Sequence, residues 1–500
     1  MRSAAVAVAL FVPALLGDGA RAQGATGSSR TLVQAHADNH DGVGDNDDFL
    51  FASQRLDASF GADRVRGGVR VDGDLFLDQP NAGYLSELQL ERVTLAYDVG
   101  ELTFTAGDVA AQLGNGLALA VRSADAVGVD LAVRGGRVDW MGERLSASAL
   151  VGLVNAANVD AVTLQHVDDP HDAVAGAELR LLASMGVGVR LLSSLVLPKE
   201  RVLPGLFDGS GTVGAGVELL DLAGAGRASL EVDVQERVLA GVPQHGAAAL
   251  GALELTVGEA TLLLEGLTLG SFELKGSRNS ATGMRFSYSQ PPTLDLLAQD
   301  QPSDRDLIAT RARADLPVGD ALLGRIEGTV RVADPFAAVP VAQAHLALGL
   351  ELARGGNRFA ARVGARTERL GLDKLAELRD LAHLDGDVLV DLGRGFALHN
   401  LTALELWRAP ERPYVVGATT VSLDVAGVAS VGVQAGVDTN DPSPDVRHLF
   451  LAALASLRLH EQLTLRLSSG SQRGGVACMG GVCRRIPSFA GTSAELAMSF

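Results

Sequence analysis

The chain has 500 residues, with 60 acidic side chains against 42 basic ones and a formal net charge of −18. This balance excludes nucleic-acid binding, which needs Lys and Arg clustered against phosphate. Hydrophobic residues make up 47% of the chain but are dispersed. Past the first residues, no run approaches the ~18 apolar residues a spanning helix needs, so a helical membrane protein is excluded as well.

In chain order, the first element is an export signal over residues 1–22. Arg2 supplies a short positive region, Ala4 to Leu16 is apolar, and Ala20-Arg21-Ala22 offers small residues for cleavage before Gln23. No lipid-accepting cysteine follows. Residues 23–48 read as an acidic N-terminal segment whose run Asp38 to Asp48 invites a calcium reading. With Gly42 in the turn position, however, the first ligand position falls on Ala37, so a solvated acidic stretch is expected. This segment is far too short for a plug domain.

From Phe49 to Phe500 one theme repeats: about ten residues of alternation, a turn, then about ten more. Val93, Leu95 and Tyr97 share one face, a turn follows at Asp98 to Gly100, and Leu102 and Phe104 return. Arg325, Glu327, Thr329 and Arg331 oppose Ile326, Val330 and Val332; Arg358, Arg362 and Arg366 oppose Phe359, Ala361 and Val363. Charge at alternate positions is costly in a dry core but natural where that face lines water. The pattern predicts an all-β chain: a large closed antiparallel transmembrane β-barrel of about 24 strands, with 22 as the alternative. A candidate strand at Met284 to Gln290, beside Pro291-Pro292, is discounted to keep the number even. Aromatics, at 4%, are sparse for two interfacial girdles.

Tight turns at Arg354 to Asn357, Gly393 to Gly395, Val425 to Gly427 and His460-Glu461 alternate with longer loops. Among the longer ones, Gly371 to Leu384 carries Leu372, Leu375, Leu378, Leu381 and Leu384 at helical spacing, which predicts a short amphipathic helix. Cys478 and Cys483, the two cysteines of the chain, flank Gly480-Gly481. In an oxidising compartment this spacing predicts a disulfide in the last long loop; two ligands alone make no metal site.

The final strand sets Ala494, Leu496, Met498 and Phe500 on one face. Together with the export signal, an aromatic carboxyl terminus points to the outer membrane of a Gram-negative-type bacterium. There Met498 and Phe500 would serve as the signal read by the barrel-assembly machinery. Outer-membrane lipid and lipopolysaccharide would be the surrounding partners.

Two stretches carry a resemblance to a known family. Gly107-Asp108 leads through Gln112, Gly114-Asn115-Gly116 and Gly128-Val129-Asp130 to Arg134. The second runs from Cys478 through Cys483-Arg484-Arg485-Ile486-Pro487 to Phe500, and Leu401 to Trp407 resembles the region before it. In this order they resemble an uncharacterised family of outer-membrane β-barrel proteins, best known from Bacteroidetes-type bacteria. The resemblance implies a barrel and no established activity. Ala111 stands where that family usually carries Glu, and Leu113 where it carries an aromatic. Physically, Gly114 and Gly116 predict a sharp bend or bulge in a strand.

Nothing in the sequence supports catalysis. There is no Gly-x-Ser-x-Gly, and His460-Glu461 lacks a second His four residues on, so no catalytic residue, cofactor or metal is expected. The favoured function is a porin-like channel or uptake barrel for a small solute, lined by Arg325, Glu327, Arg331, Arg358, Arg362 and Arg366. The alternative is a non-conducting surface barrel, occluded by its own loops, that binds or anchors a partner.

Overall fold

A computed structural model describes residues 24–500 except 43–46, 125–126, 200–208, 279–284, 295–305, 371–375, 480–481 and the single positions 185, 223, 240, 274, 293, 338 and 444. The predicted export signal lies outside the described residues. Twenty-four strands form one antiparallel sheet in which each strand pairs with its neighbours in sequence. The sheet closes where Thr26–His36 pairs with Phe489–Ser499, in register from Ser28 opposite Ser499 to His36 opposite Gly491. Closure removes every sheet edge, so each strand's backbone groups are satisfied by the strands on either side. Among the described residues no helix is long and apolar enough to cross a membrane.

The two faces of the wall differ as the alternation requires. On Leu322–Ala333, Ile326 and Val330 are 44% and 53% exposed, whereas Glu327 and Thr329 between them are each 5% exposed. In a closed barrel this places the apolar residues outside and the polar ones inside. Leu346, Leu348 and Leu350 on Val341–Arg354, and Leu230, Val232 and Val234 on Gly226–Leu239, continue the outer apolar belt. So large an exposed apolar surface suits lipid contact and is unsuited to water. The exposed aromatics Phe60, Tyr97, Phe104, Phe359 and Phe396 all lie near the short-turn end of their strands.

Several expectations are corrected. The wall begins at Thr26–His36, inside the stretch assigned to the acidic segment, because this strand's alternation of small and polar residues hid its period. Gly371 to Leu384 is not a helix over its described part: Ala376–Gly393 is a wall strand paired along both edges. Cross-strand ion pairs, Arg379 Nε to Glu368 at 3.1 Å and Arg369 Nη1 to Asp380 at 2.9 Å, favour that pairing over helical leucine spacing. The described part of Met284 to Gln290 indeed stays out of the wall: Arg285–Ser287 pairs with Lys275–Arg278 in a separate two-stranded sheet.

Two further small hairpins stand apart from the wall. One joins Ala111–Leu113 to Leu119–Val121, and the other joins Gly475–Met479 to Val482–Ile486. The first is deeply buried. Ala111, Leu117, Ala118, Leu119, Ala120 and Val121 are all fully buried. It turns into the lumen, where Leu113, Leu119 and Val121 pack with inward Val154, Val174 and Val196, and with Phe286 and Tyr288 from a later loop. Leu117 joins a neighbouring cluster with Leu250, Leu267, Leu269, Phe272 and Leu307. No N-terminal plug precedes the wall among the described residues, yet part of the lumen is filled by loops folded inward.

Candidate functional site

The interior has two parts: an ion-paired wall, and a hairpin tethered across from it. The six residues predicted to line water all lie on the inner parity of their strands. Register aligns Arg325 with Gly349 and Arg362, and Thr329 with His345 and Arg366. Arg325 pairs with Asp315 at 2.5 Å, and Glu327 with Arg311 at 3.0 Å and Arg362 at 3.9 Å. Arg358 meets Glu351 at 3.2 Å and Asp387 at 3.5 Å, and Arg366 meets Glu368 at 3.4 Å. Arg331 lies opposite Gln343 on the same face. Arg325, Arg358 and Arg366 each reach a carboxylate on their own or an adjacent strand, and Arg362 approaches Glu327 two strands away, so the wall carries both signs in close alternation. Apart from the more exposed pairs of Arg325 and Arg358 these are largely buried, so each charge depends on its partner; their chemical consequence is a polar surface with no single-sign field.

Sequence reading missed a denser cluster beside them. His345 Nε2 and His383 Nε2 stand 3.0 Å apart, and His383 Nδ1 lies 3.1 Å from Asp385. The Trp407 ring stacks on Tyr414, and the guanidinium carbons of Arg366 and Arg379 lie 6.0 and 5.5 Å from the Trp407 ring. Cations over an aromatic face help to fix the ring in place on the inner wall. The signal was present in the alternation of Gln343 with His345 and of Arg379, Leu381 and His383, but only pairing shows that these positions share one surface.

The hairpin Ala111–Val121 is held by carboxylates from the facing wall. Gly114 N–H donates to Glu178 at 2.7 Å and Asn115 N–H to Glu231 at 2.9 Å, while Arg190 donates to the same Glu231 oxygen at 2.7 Å. Ser194 donates to the Ala118 carbonyl at 2.8 Å. Gly114 and Gly116 have φ of +56° and +82°, so they form the turn of this inward hairpin and not a bulge within a wall strand. At its root, Asp108 accepts hydrogen bonds from Arg134 Nε at 3.0 Å, Asn155 at 2.8 Å and Val93 N–H at 2.9 Å. Of the family-motif residues, Gly107, Asp108 and Arg134 thus build the exit from the wall. Gln112 lies exposed on the hairpin, and Gly114 and Gly116 build its turn.

Loops from distant parts of the chain lock onto this root. Arg70 pairs with Asp130 at 2.5 Å and Arg92 with Asp130 at 3.3 Å. Burial alone would raise the Asp130 pKa, but the two guanidiniums hold it below its ordinary value. The Tyr288 hydroxyl donates to Asp172 at 2.8 Å; burial, then the Asp172 charge, pushes its pKa well up. Arg484, from the cysteine hairpin, donates to Asp160 at 2.5 Å and to the Gly128 carbonyl at 3.1 Å. In that hairpin Cys478 stands directly opposite Cys483 in register, the relation a cross-strand disulfide needs. Met498 lies in the last wall strand, opposite Leu463, and Phe500 exchanges backbone hydrogen bonds of 2.7 and 2.9 Å with Gly27. In the acidic run, Asp38 accepts from His40 N–H at 2.7 Å. No cluster of metal-ligating side chains of three or more acids, His or Cys occurs among the described residues.

A family of unknown function (DUF6029) matches residues 418–500, the last wall strands together with both cysteines and Phe500; the Gly107 to Arg134 stretch lies outside the match. None of the curated proteins matches the chain. Among solved structures, the siderophore receptor PirA from Pseudomonas aeruginosa aligns over 95% of this chain and 80% of its own, at 9% identity and a TM-score of 0.49. The outer membrane protein OpdK of the same organism aligns over 72% and 95%, at 14% identity and 0.42. The P pilus usher PapC translocation pore aligns over 95% and 98%, at 10% identity and 0.44.

Proposed function

We propose that the protein is an integral outer-membrane β-barrel that passes a small polar solute through a lumen narrowed by its own inward hairpin. The observation that carries this reading is the division of faces in a closed wall: an apolar belt outside and, on the arc across from the hairpin, paired charges inside. A lumen lined by both signs favours solutes that exchange hydration for paired donors and acceptors, such as sugars or zwitterions, over bulk ions of one charge. The reading invokes no catalytic group and no cofactor. Lipid and lipopolysaccharide surround the belt, and Met498 and Phe500 serve as the assembly signal for the barrel-assembly machinery.

A second reading has its own support. The inward hairpin, the Phe272 and Tyr288 loop and the Arg484 contact together fill one side of the lumen, as a closed barrel displaying a surface partner would require. Single-channel conductance of the refolded mature protein in a planar bilayer separates the two. Steady openings with weak selectivity in a KCl gradient support the channel. Silence from protein that is folded and heat-modifiable overturns it in favour of the surface barrel.

A further inference from the structure

Beneath the hairpin turn, the inner wall of Gly209–Leu219 and Gly226–Leu239 holds polar atoms that nothing among the described residues satisfies. Asp233 is 0% exposed and neither of its carboxylate oxygens has a hydrogen-bond partner; Glu231 Oε1 and Thr212 Oγ1 are likewise buried and unpartnered. Register sets Thr212 opposite Gln235 and Gly214 opposite Asp233, with Glu231 two residues away on the same face. These oxygens are therefore lateral and diagonal neighbours on one inner surface. The missing side chain of Gly214 makes room for the carboxylate: a Cβ there would stand 1.7 Å from Asp233 Oδ1. The hairpin closes the lumen side, since a Cβ on Gly114 would stand 2.4 Å from Glu231 Oε2.

The charges around this pocket do not balance. Glu178, Glu218, Glu231 and Asp233 face Arg180 and Arg190, four carboxylates against two guanidiniums. Arg180 pairs with Glu218 at 2.5 Å, and Arg190 with Glu218 at 3.4 Å and Glu231 at 2.7 Å, which leaves Asp233 without an ion pair of its own among the described residues. A buried carboxylate in this condition is strongly unfavourable unless something neutralises it, and buried polar atoms without partners mark the place of an ion or water.

We propose that this pocket binds one hard divalent cation, with calcium the best match. All the unpartnered acceptors are oxygens, and two missing positive charges are what a divalent ion supplies. The adaptable oxygen coordination of calcium suits a carboxylate, a second carboxylate oxygen and a hydroxyl, completed by water. Asp233 is the principal ligand, with Glu231 Oε1 and Thr212 Oγ1 beside it. Gln235 Nε2, also unpartnered, is a donor and serves the site only by holding a ligand water. Because Glu231 also accepts from Asn115, the bound ion fixes the hairpin against the wall. The site is the same whether the barrel conducts or stays closed.

The test is calorimetric titration of calcium chloride into EDTA-treated, refolded mature protein in detergent, with heat-modifiable migration confirming the fold. The expected result is one saturable site per chain, weakened at least tenfold in Asp233→Asn and severalfold in Thr212→Val. Asp38→Asn, in the acidic run, is expected to bind as the parent does. Absence of saturable binding to the folded parent would overturn the proposal, as would equal affinity in both pocket variants or loss in Asp38→Asn alone. Should Asp233→Asn fail to fold, Thr212→Val alone decides.

Discussion

Gly114 is the residue on which the inward hairpin turns. Its φ of +56° and the 2.4 Å approach of Glu231 to a Cβ at this position leave an alanine no room. The left-handed backbone alone costs about 1–2 kcal/mol for an L-residue. Gly114→Ala is therefore expected to lower the urea midpoint of the refolded barrel and to expose the hairpin to protease. Asp130 makes a pH prediction. Its folded-state pKa is depressed by Arg70 and Arg92, so the pairing stabilises the fold above the ordinary carboxylate range and is lost as pH falls through the depressed value. Asp130→Asn is expected to unfold more readily than the parent at pH 7, with the gap closing in acid; unfolding curves across pH measure it. Cys478 and Cys483 face each other across their hairpin, and the expected disulfide leaves no free thiol in the unreduced, denatured chain. Two titratable thiols there would remove the bond from the account.

At the scale of the strand, period two decides everything except which strands exist. Leu322–Ala333 illustrates the outcome: Ile326 and Val330 look outward, while Glu327 and Arg331 look inward. An arginine at the lipid-facing midpoint costs about 2–4 kcal/mol, whereas the lumen face admits one at little cost. Ile326→Arg is thus expected to reduce folding yield into lipid vesicles sharply, and Leu401→Arg, at an exposed inner position opposite Asp387, to leave it near the parent's. A reversed order would mean that the wall faces the other way. Ala376–Gly393 shows where local pattern misleads. Leucines three apart satisfy a helix in isolation, but Glu368 and Asp380 on paired strands supply partners for Arg379 and Arg369 that a helix in a loop would lack. The Thr26–His36 strand fails in the opposite sense: Ser28, Ser29 and Arg30 give no apolar alternation, and only its neighbours on both sides make it a strand.

For the whole molecule, the hairpin Ala111–Val121 sets how much of the closed wall is free. It buries its apolar side against one arc of the barrel and leaves the ion-paired arc across from it. Deletion of Gln112 to Ala118 is expected to raise single-channel conductance severalfold with the wall intact. Unchanged conductance would show that the path runs elsewhere.

The sequence by itself determined the architecture, because alternation every second residue, turn spacing and an even strand count are local or additive properties. It also placed Arg325, Glu327, Arg358 and Arg362 on one side of their strands, the inner face of the closed wall, since charge at alternate positions suits only that face. What it could not determine was anything requiring two distant segments to meet. Gly114 and Gly116 read as a bend, but that the bend enters the lumen depends on Glu178 and Glu231, which come from strands far along the chain. The His345–His383 contact and the unpartnered Asp233 likewise arise only when closure sets registers side by side. Tertiary structure decided these points because a strand's pattern fixes which face a side chain takes, while only the register of its neighbours fixes what that side chain meets.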